Sequence, residues 1–130
     1  GLKSAVINLC HNMDQKNVAY KKEDIAASFQ EVATEILIRK VKIALKMYPE
    51  IKTFVAAGGS SANSSLRNKL TELLSKKHPN VDLILPRLSL CGDNAAMIGM
   101  CAYYKIISNT YNNDLNISAM PQYELEDFSN

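Results

Sequence analysis

Two short apolar runs constrain this chain more than any other feature. One spans 51–57, from Ile51 to Ala57, and stops at Gly58-Gly59; the other spans 81–85, from Val81 to Leu85, and stops at Pro86. Between them Leu66, Leu70, Leu73 and Leu74 recur at helical spacing, and Ser60, Ser61 or Asn63 can cap the helix they define. A strand over 51–57, a glycine turn, a helix over 62–76 and a strand over 81–85 make a βαβ unit, whose strands run parallel. Parallel sheets are covered on both faces and ordinarily contain more than two strands. The expected fold class is therefore α/β, helix-rich, with a short parallel βαβ unit and an incomplete sheet that further sequence or another chain must finish.

Helical periodicity accounts for most of the remainder. Leu2, Ala5, Val6, Leu9, Cys10 and Met13 mark one face of a helix over 2–13. After a polar loop, Ile25, Phe29, Val32, Ile36, Val41 and Leu45 mark a long helix over 22–47, which Pro49 brings to an end. From Asp93 a helix over 93–108 carries Ala95, Ala96, Met97, Ile98, Cys101 and Tyr104 and is apolar nearly all round, so it is expected to be buried. Residues 1–108 thus read as one domain and 109–130, with Asn112-Asn113, Pro121 and four acids, as an extended acidic tail.

Composition narrows the class. With 130 residues, 47% hydrophobic and 22% charged, the chain suits a single globular core. It begins at Gly1 without a charged and apolar leader, which suggests excision from something longer. The longest uncharged stretch of predominantly apolar residues, Asn94 to Tyr104, is too short to span a bilayer, so no membrane partner is expected. Cys10, Cys91 and Cys101 are well separated and read as reduced core thiols of a cytoplasmic protein. His11 and His78 stand at no metal-ligand spacing. All fifteen basic residues lie within 1–105 and four of the thirteen acids lie beyond it, a distribution that permits contact with a polyanion such as RNA without requiring it.

Two loops carry candidate chemistry. In Ala57-Gly58-Gly59-Ser60-Ser61-Ala62-Asn63, glycine lets backbone amides approach a phosphate or ribose at a helix N-terminus, or merely permits a tight turn with positive φ. In Cys91-Gly92-Asp93-Asn94, Asp93 is either a hard oxygen ligand for a metal or, as these residues alone favour, an N-cap for the helix that follows. Ligands in open α/β sheets bind beyond the carboxyl ends of the strands, so both loops are expected to border one crevice.

The run Val55 to Asn63, then Leu66-Arg67 and Lys69-Leu70, and about thirty residues later Cys91-Gly92-Asp93-Asn94-Ala95-Ala96-Met97-Ile98, closely resembles the tRNA N6-adenosine threonylcarbamoyltransferase family. Gly1 to Ala5 and Ala27-Ser28-Phe29-Gln30-Glu31 are similar to the same family's C-terminal half, so the resemblance covers nearly the whole chain.

That resemblance implies the C-terminal lobe of an actin-like (ASKHA) fold and transfer of a threonylcarbamoyl group from threonylcarbamoyl-AMP to N6 of the tRNA adenosine beside the anticodon. It implies that Gly58 and Gly59 pass close to the nucleotide, that Asn63 contacts it, and that Asp93 ligates one divalent metal, iron or zinc. The metal's two histidines belong to an H-x-x-x-H motif on an N-terminal lobe, and this chain has no such motif. Position 92 is Gly where the family usually has Thr or Ser. Expected partners are tRNA, that N-terminal lobe and, in bacteria, an inactive paralogue and a small P-loop ATPase. Two other readings stand beside this one: a non-catalytic binding module of the same fold, and an actin-like small-molecule kinase.

Overall fold

The computed structural model describes residues 1–111, 114 and 116, so most of the expected tail over 109–130 lies outside the described residues. The chain divides into two compact units, Gly1–Asp93 and Asn94–Asn130.

The first unit opens with helix α1 (Leu2–Gln15). It runs two residues past the expected 2–13 because its stop is conformational. Asn17 adopts φ 50°, its amide donates to the Asp14 carbonyl at 3.1 Å, and the Val18 amide donates to Met13 at 2.9 Å. This left-handed cap satisfies carbonyls that the last turn would otherwise leave unpaired. Helix α2 (Lys22–Met47) carries Glu23 and Asp24 in its first turn and Lys46 in its last, charges that complement the helix dipole. At its end Tyr48 leaves helical geometry (φ −124°, ψ 71°), as a residue preceding proline must.

Strands β1 (Thr53–Val55) and β2 (Asp82–Ile84) pair in parallel, Thr53 with Asp82, Phe54 with Leu83 and Val55 with Ile84. Both are shorter than the expected 51–57 and 81–85. Among the described residues each has a single neighbour, and the ladder frays into one flanking bond per end, Asp82 N to Lys52 O at 2.8 Å and Ala56 N to Ile84 O at 3.2 Å. Beyond them Pro86 has no N–H to continue it. Helix α3 (Ser64–Lys77) starts two residues later than expected, since Asn63 stays extended and accepts the Leu66 amide at 3.0 Å; a 3-10 turn, Gly59–Ala62, fills the gap.

Ile38 and Leu45 of α2 meet Leu66, Leu70, Leu73 and Leu74 of α3 to form the core, with Phe54 and Leu83 packed against it from the sheet. Side chains alternate across a strand, so Val55 and Ile84, 58% and 51% exposed, point to the uncovered face. Thr34, buried in the middle of α2, donates to the Gln30 carbonyl at 2.9 Å and accepts from Lys69 Nζ of α3 at 3.0 Å. Lys69 also reaches Glu31 at 2.7 Å and Glu35 at 3.2 Å, fastening the two helices outside the core.

The second unit holds helix α4 (Ala95–Ile107), shorter than the expected 93–108. It ends as α1 does, with Asn109 at φ 56° and the Thr110 amide donating to Lys105 at 2.9 Å. The expected burial of this helix is not found: none of its residues is buried, and Ile98 is 75% exposed. An all-round apolar sequence records a demand for cover. On the same helix Cys101 is exposed instead of being a core thiol, whereas Cys91 is buried and Cys10 half-buried.

Candidate functional site

Parallel pairing places the segments that follow β1 and β2 at one end of the sheet. Gly58 opens the first of them. At φ 81° it occupies a region that disfavours any residue with a Cβ, so the turn requires glycine there. Its carbonyl accepts both the Ser61 amide at 2.9 Å and the Ser61 hydroxyl at 2.7 Å. Gly59 lies outside the left-handed region, and nothing stands within 4 Å of where a Cβ would project at either glycine. The outer side of the turn is open to a ligand.

The second segment runs from Pro86 through a 3-10 turn, Leu88–Leu90, to Cys91 and Asp93. It is joined to the first in two ways. Ser61 and Cys91, each 2% exposed, bring Oγ and Sγ within 3.3 Å, and the Cys91 thiol donates to the Arg87 carbonyl at 3.4 Å. Arg67, one turn into α3, donates from Nη1 to the Ser61 carbonyl at 2.8 Å and from Nη2 to the Pro86 carbonyl at 3.0 Å. Sequence reading gave Arg67 no role and took Cys91 for an ordinary core thiol. A basic residue four positions after a capping Asn is the available signal, and it does not say which carbonyls the side chain will find.

Asn63 ties the glycine turn to α2. Its Oδ1 caps α3, and its Nδ2 donates to Gln30 Oε1 at 3.2 Å. Asp93 is exposed. It does not cap α4, because the N-cap position falls one residue later, on the extended Asn94, with no side-chain cap bond. His11 is exposed on α1 and His78 ends α3. Among the described residues no three His, Cys, Asp or Glu side chains gather to hold a metal.

Charge near the site is concentrated where α2 meets α3. The hydrogen bond that Lys69 donates to Glu31, reinforced by the one to Glu35, holds the Lys69 ammonium above the usual lysine range, against the opposing effect of burial. Further along the same face of α3, Lys76 holds the Glu72 carboxyl below its usual value through a 2.7 Å contact. No helix among the described residues is long and apolar enough to cross a membrane.

The family described as tRNA N6-adenosine threonylcarbamoyltransferase matches residues 1–100. A protein of that name from Lactobacillus acidophilus is 46% identical over 131 residues, covering 96% of this chain and 36% of the relative. Relatives of the same name from Streptococcus thermophilus and Enterococcus faecalis are 46% and 43% identical, each covering 93% of this chain and 34% of their own length. The chain thus spans about a third of the length of the curated relatives it matches.

Proposed function

Because the chain belongs to the tRNA N6-adenosine threonylcarbamoyltransferase family, we propose that it is the C-terminal lobe of a two-lobed, actin-like transferase acting in the cytoplasm. In this reading the whole protein moves a threonylcarbamoyl group from threonylcarbamoyl-AMP to N6 of the tRNA adenosine beside the anticodon, and this chain supplies one wall of the site. The observation that carries the reading is the meeting of the glycine turn with the Cys91–Asp93 segment at one end of β1 and β2, held by Ser61, Cys91 and Arg67. Ligands of parallel α/β sheets bind at that end.

Gly58 and Gly59 would let backbone approach the nucleotide, and Asn63 would contact it with whatever hydrogen-bonding capacity its cap leaves. Asp93 would give one oxygen to a divalent iron or zinc, which supplies Lewis acidity when bound. The residues of this chain do not by themselves fit such an ion, since among those described no three His, Cys, Asp or Glu side chains gather around Asp93 or elsewhere. The histidine pair of an N-terminal lobe would complete the set. In a bacterial setting the partners would be tRNA, an inactive paralogue and a small P-loop ATPase.

Calorimetry with a divalent metal and with AMP, on this chain and on the chain joined to its N-terminal lobe, tests the reading. Binding by the joined protein alone, with metal uptake abolished in Asp93→Ala, is the expected outcome. Tight binding by the short chain, or metal uptake that survives Asp93→Ala, overturns it.

A second reading, a non-catalytic interaction module, is favoured by one observation: the unburied apolar surface of α4 and of the hollow of about 510 Å³ that Leu2, Leu9, Ile25, Phe29 and Val32 help to line between α1 and α2. Strictly monomeric behaviour at high concentration, with cooperative unfolding, would count against it.

A further inference from the structure

We infer that Arg67 is a positioning residue of the transferase site, fixing the separation between the segment that receives the nucleotide and the segment that carries Asp93. The inference rests on the proposed function and adds to it a residue that touches neither substrate nor metal.

The geometry is specific. One guanidinium sends Nη1 to the Ser61 carbonyl at 2.8 Å and Nη2 to the Pro86 carbonyl at 3.0 Å. Those carbonyls belong to the turn after β1 and to the segment after β2. Hydrogen bonds from a charged donor are stronger than neutral ones, and the planar fork fixes two acceptors at a set distance and angle. Nη1 also lies 4.0 Å from Cys91 Sγ, so the cation sits over the Ser61–Cys91 contact.

Arg67 is itself well anchored. Its backbone amide donates to the Asn63 carbonyl at 3.0 Å, and the neighbouring Leu66 and Leu70 are buried in the core. The fork is therefore held from the helix whose cap is Asn63. A ligand bridging the glycine turn and the Asp93 segment meets two walls whose spacing one side chain sets, and small errors in such spacing are costly.

Lysine keeps the charge but offers a single compact ammonium in place of the planar fork, so it cannot hold both carbonyls at the same fixed separation and angle. Arg67→Ala releases both. Neither change removes a group that contacts substrate.

The test is AMP binding to the complete two-lobed transferase by calorimetry, which reports the number of sites and the affinity separately. We expect Arg67→Ala to raise the Kd for AMP about tenfold or more and Arg67→Lys to raise it by a smaller factor, with the number of sites per folded chain unchanged. A merely structural role would instead lower the number of sites and leave Kd unaltered in those that remain; that result overturns the inference. Should Arg67→Ala not fold, Arg67→Lys decides by the same readout. If the unaltered transferase binds no AMP, the proposed function itself fails and takes the inference with it. If it binds AMP and both variants match it, the inference alone fails.

Discussion

The hydroxyl of Ser61 and the thiol of Cys91, thirty positions apart in the chain, lie 3.3 Å from each other in a pocket where each is 2% exposed. Both are small, and both hand a hydrogen bond to a local carbonyl, Gly58 for Ser61 and Arg87 for Cys91. Ser61→Ala should cost about 1 kcal/mol, since the Gly58 carbonyl keeps the Ser61 amide. Cys91→Ala should cost about 1 to 2 kcal/mol for the cavity it leaves. Thiol labelling of the native chain should modify Cys101 first, Cys10 more slowly, and Cys91 only as the unit opens. Early modification of Cys91 would contradict this packing.

Asn63 has two jobs that substitution can separate. Asn63→Ala should lose about 1 kcal/mol of stability in chemical denaturation, because the Leu66 amide loses its acceptor. Asn63→Asp keeps that acceptor, and the Gln30 amide can turn to donate to the new carboxylate, so its stability should fall within about 0.5 kcal/mol of the parent. If the proposed function holds, Asn63→Asp nevertheless weakens AMP binding in the complete protein.

Neighbouring glycines should respond differently. Gly58→Ala forces a Cβ into a left-handed backbone and should destabilise by about 1 to 2 kcal/mol. Gly59→Ala meets no atom within 4 Å and has no such φ, so thermal unfolding should barely change. The methyl of Gly59→Ala projects into the open side of the turn, and if the proposed function holds, a loss of AMP affinity in the complete protein without loss of stability is the expected pair of results.

Lys69 makes stability depend on alkaline pH. Its folded-state pKa is raised, chiefly by Glu31 and next by Glu35. Its contribution is therefore complete below the unfolded value near 10.5 and disappears as pH rises through the higher folded value. Melting temperatures of the parent and of Lys69→Met should converge as pH climbs through that window. A difference that stays constant across it would show that the ammonium is not the source.

Much of the fold was legible because its signals are local. The leucines of α3 announced both the helix and its buried face, Pro49 announced the end of α2, and the βαβ order announced parallel pairing. The ends of α1 and α4 were not legible, since Asn17 and Asn109 look like ordinary polar residues until their left-handed φ is seen. The strands were read long because an apolar run reports burial, whereas a ladder lasts only as far as its partner does. For α4 the pattern stated what needs covering without stating what covers it. Near the site, the glycine turn and a cap at Ser60, Ser61 or Asn63 were legible from spacing, and the structure places the cap on Asn63. The span of Arg67 from Ser61 to Pro86 was not, because it exists only once two distant segments are folded together.

The pairing of β1 with β2 leaves an ambiguity for the rest of the molecule to resolve. Phe54 and Val55 are both apolar, as are Leu83 and Ile84, so sliding either strand by one place would still present an apolar side chain to the core, with only Thr53 or Asp82 turned inward to oppose it. The four apolar side chains therefore carry little information about alignment. That information resides in the connections, in the cap at Asn63 and the reach of Arg67 to Pro86, which make the same few bonds the memory of which strand position is correct.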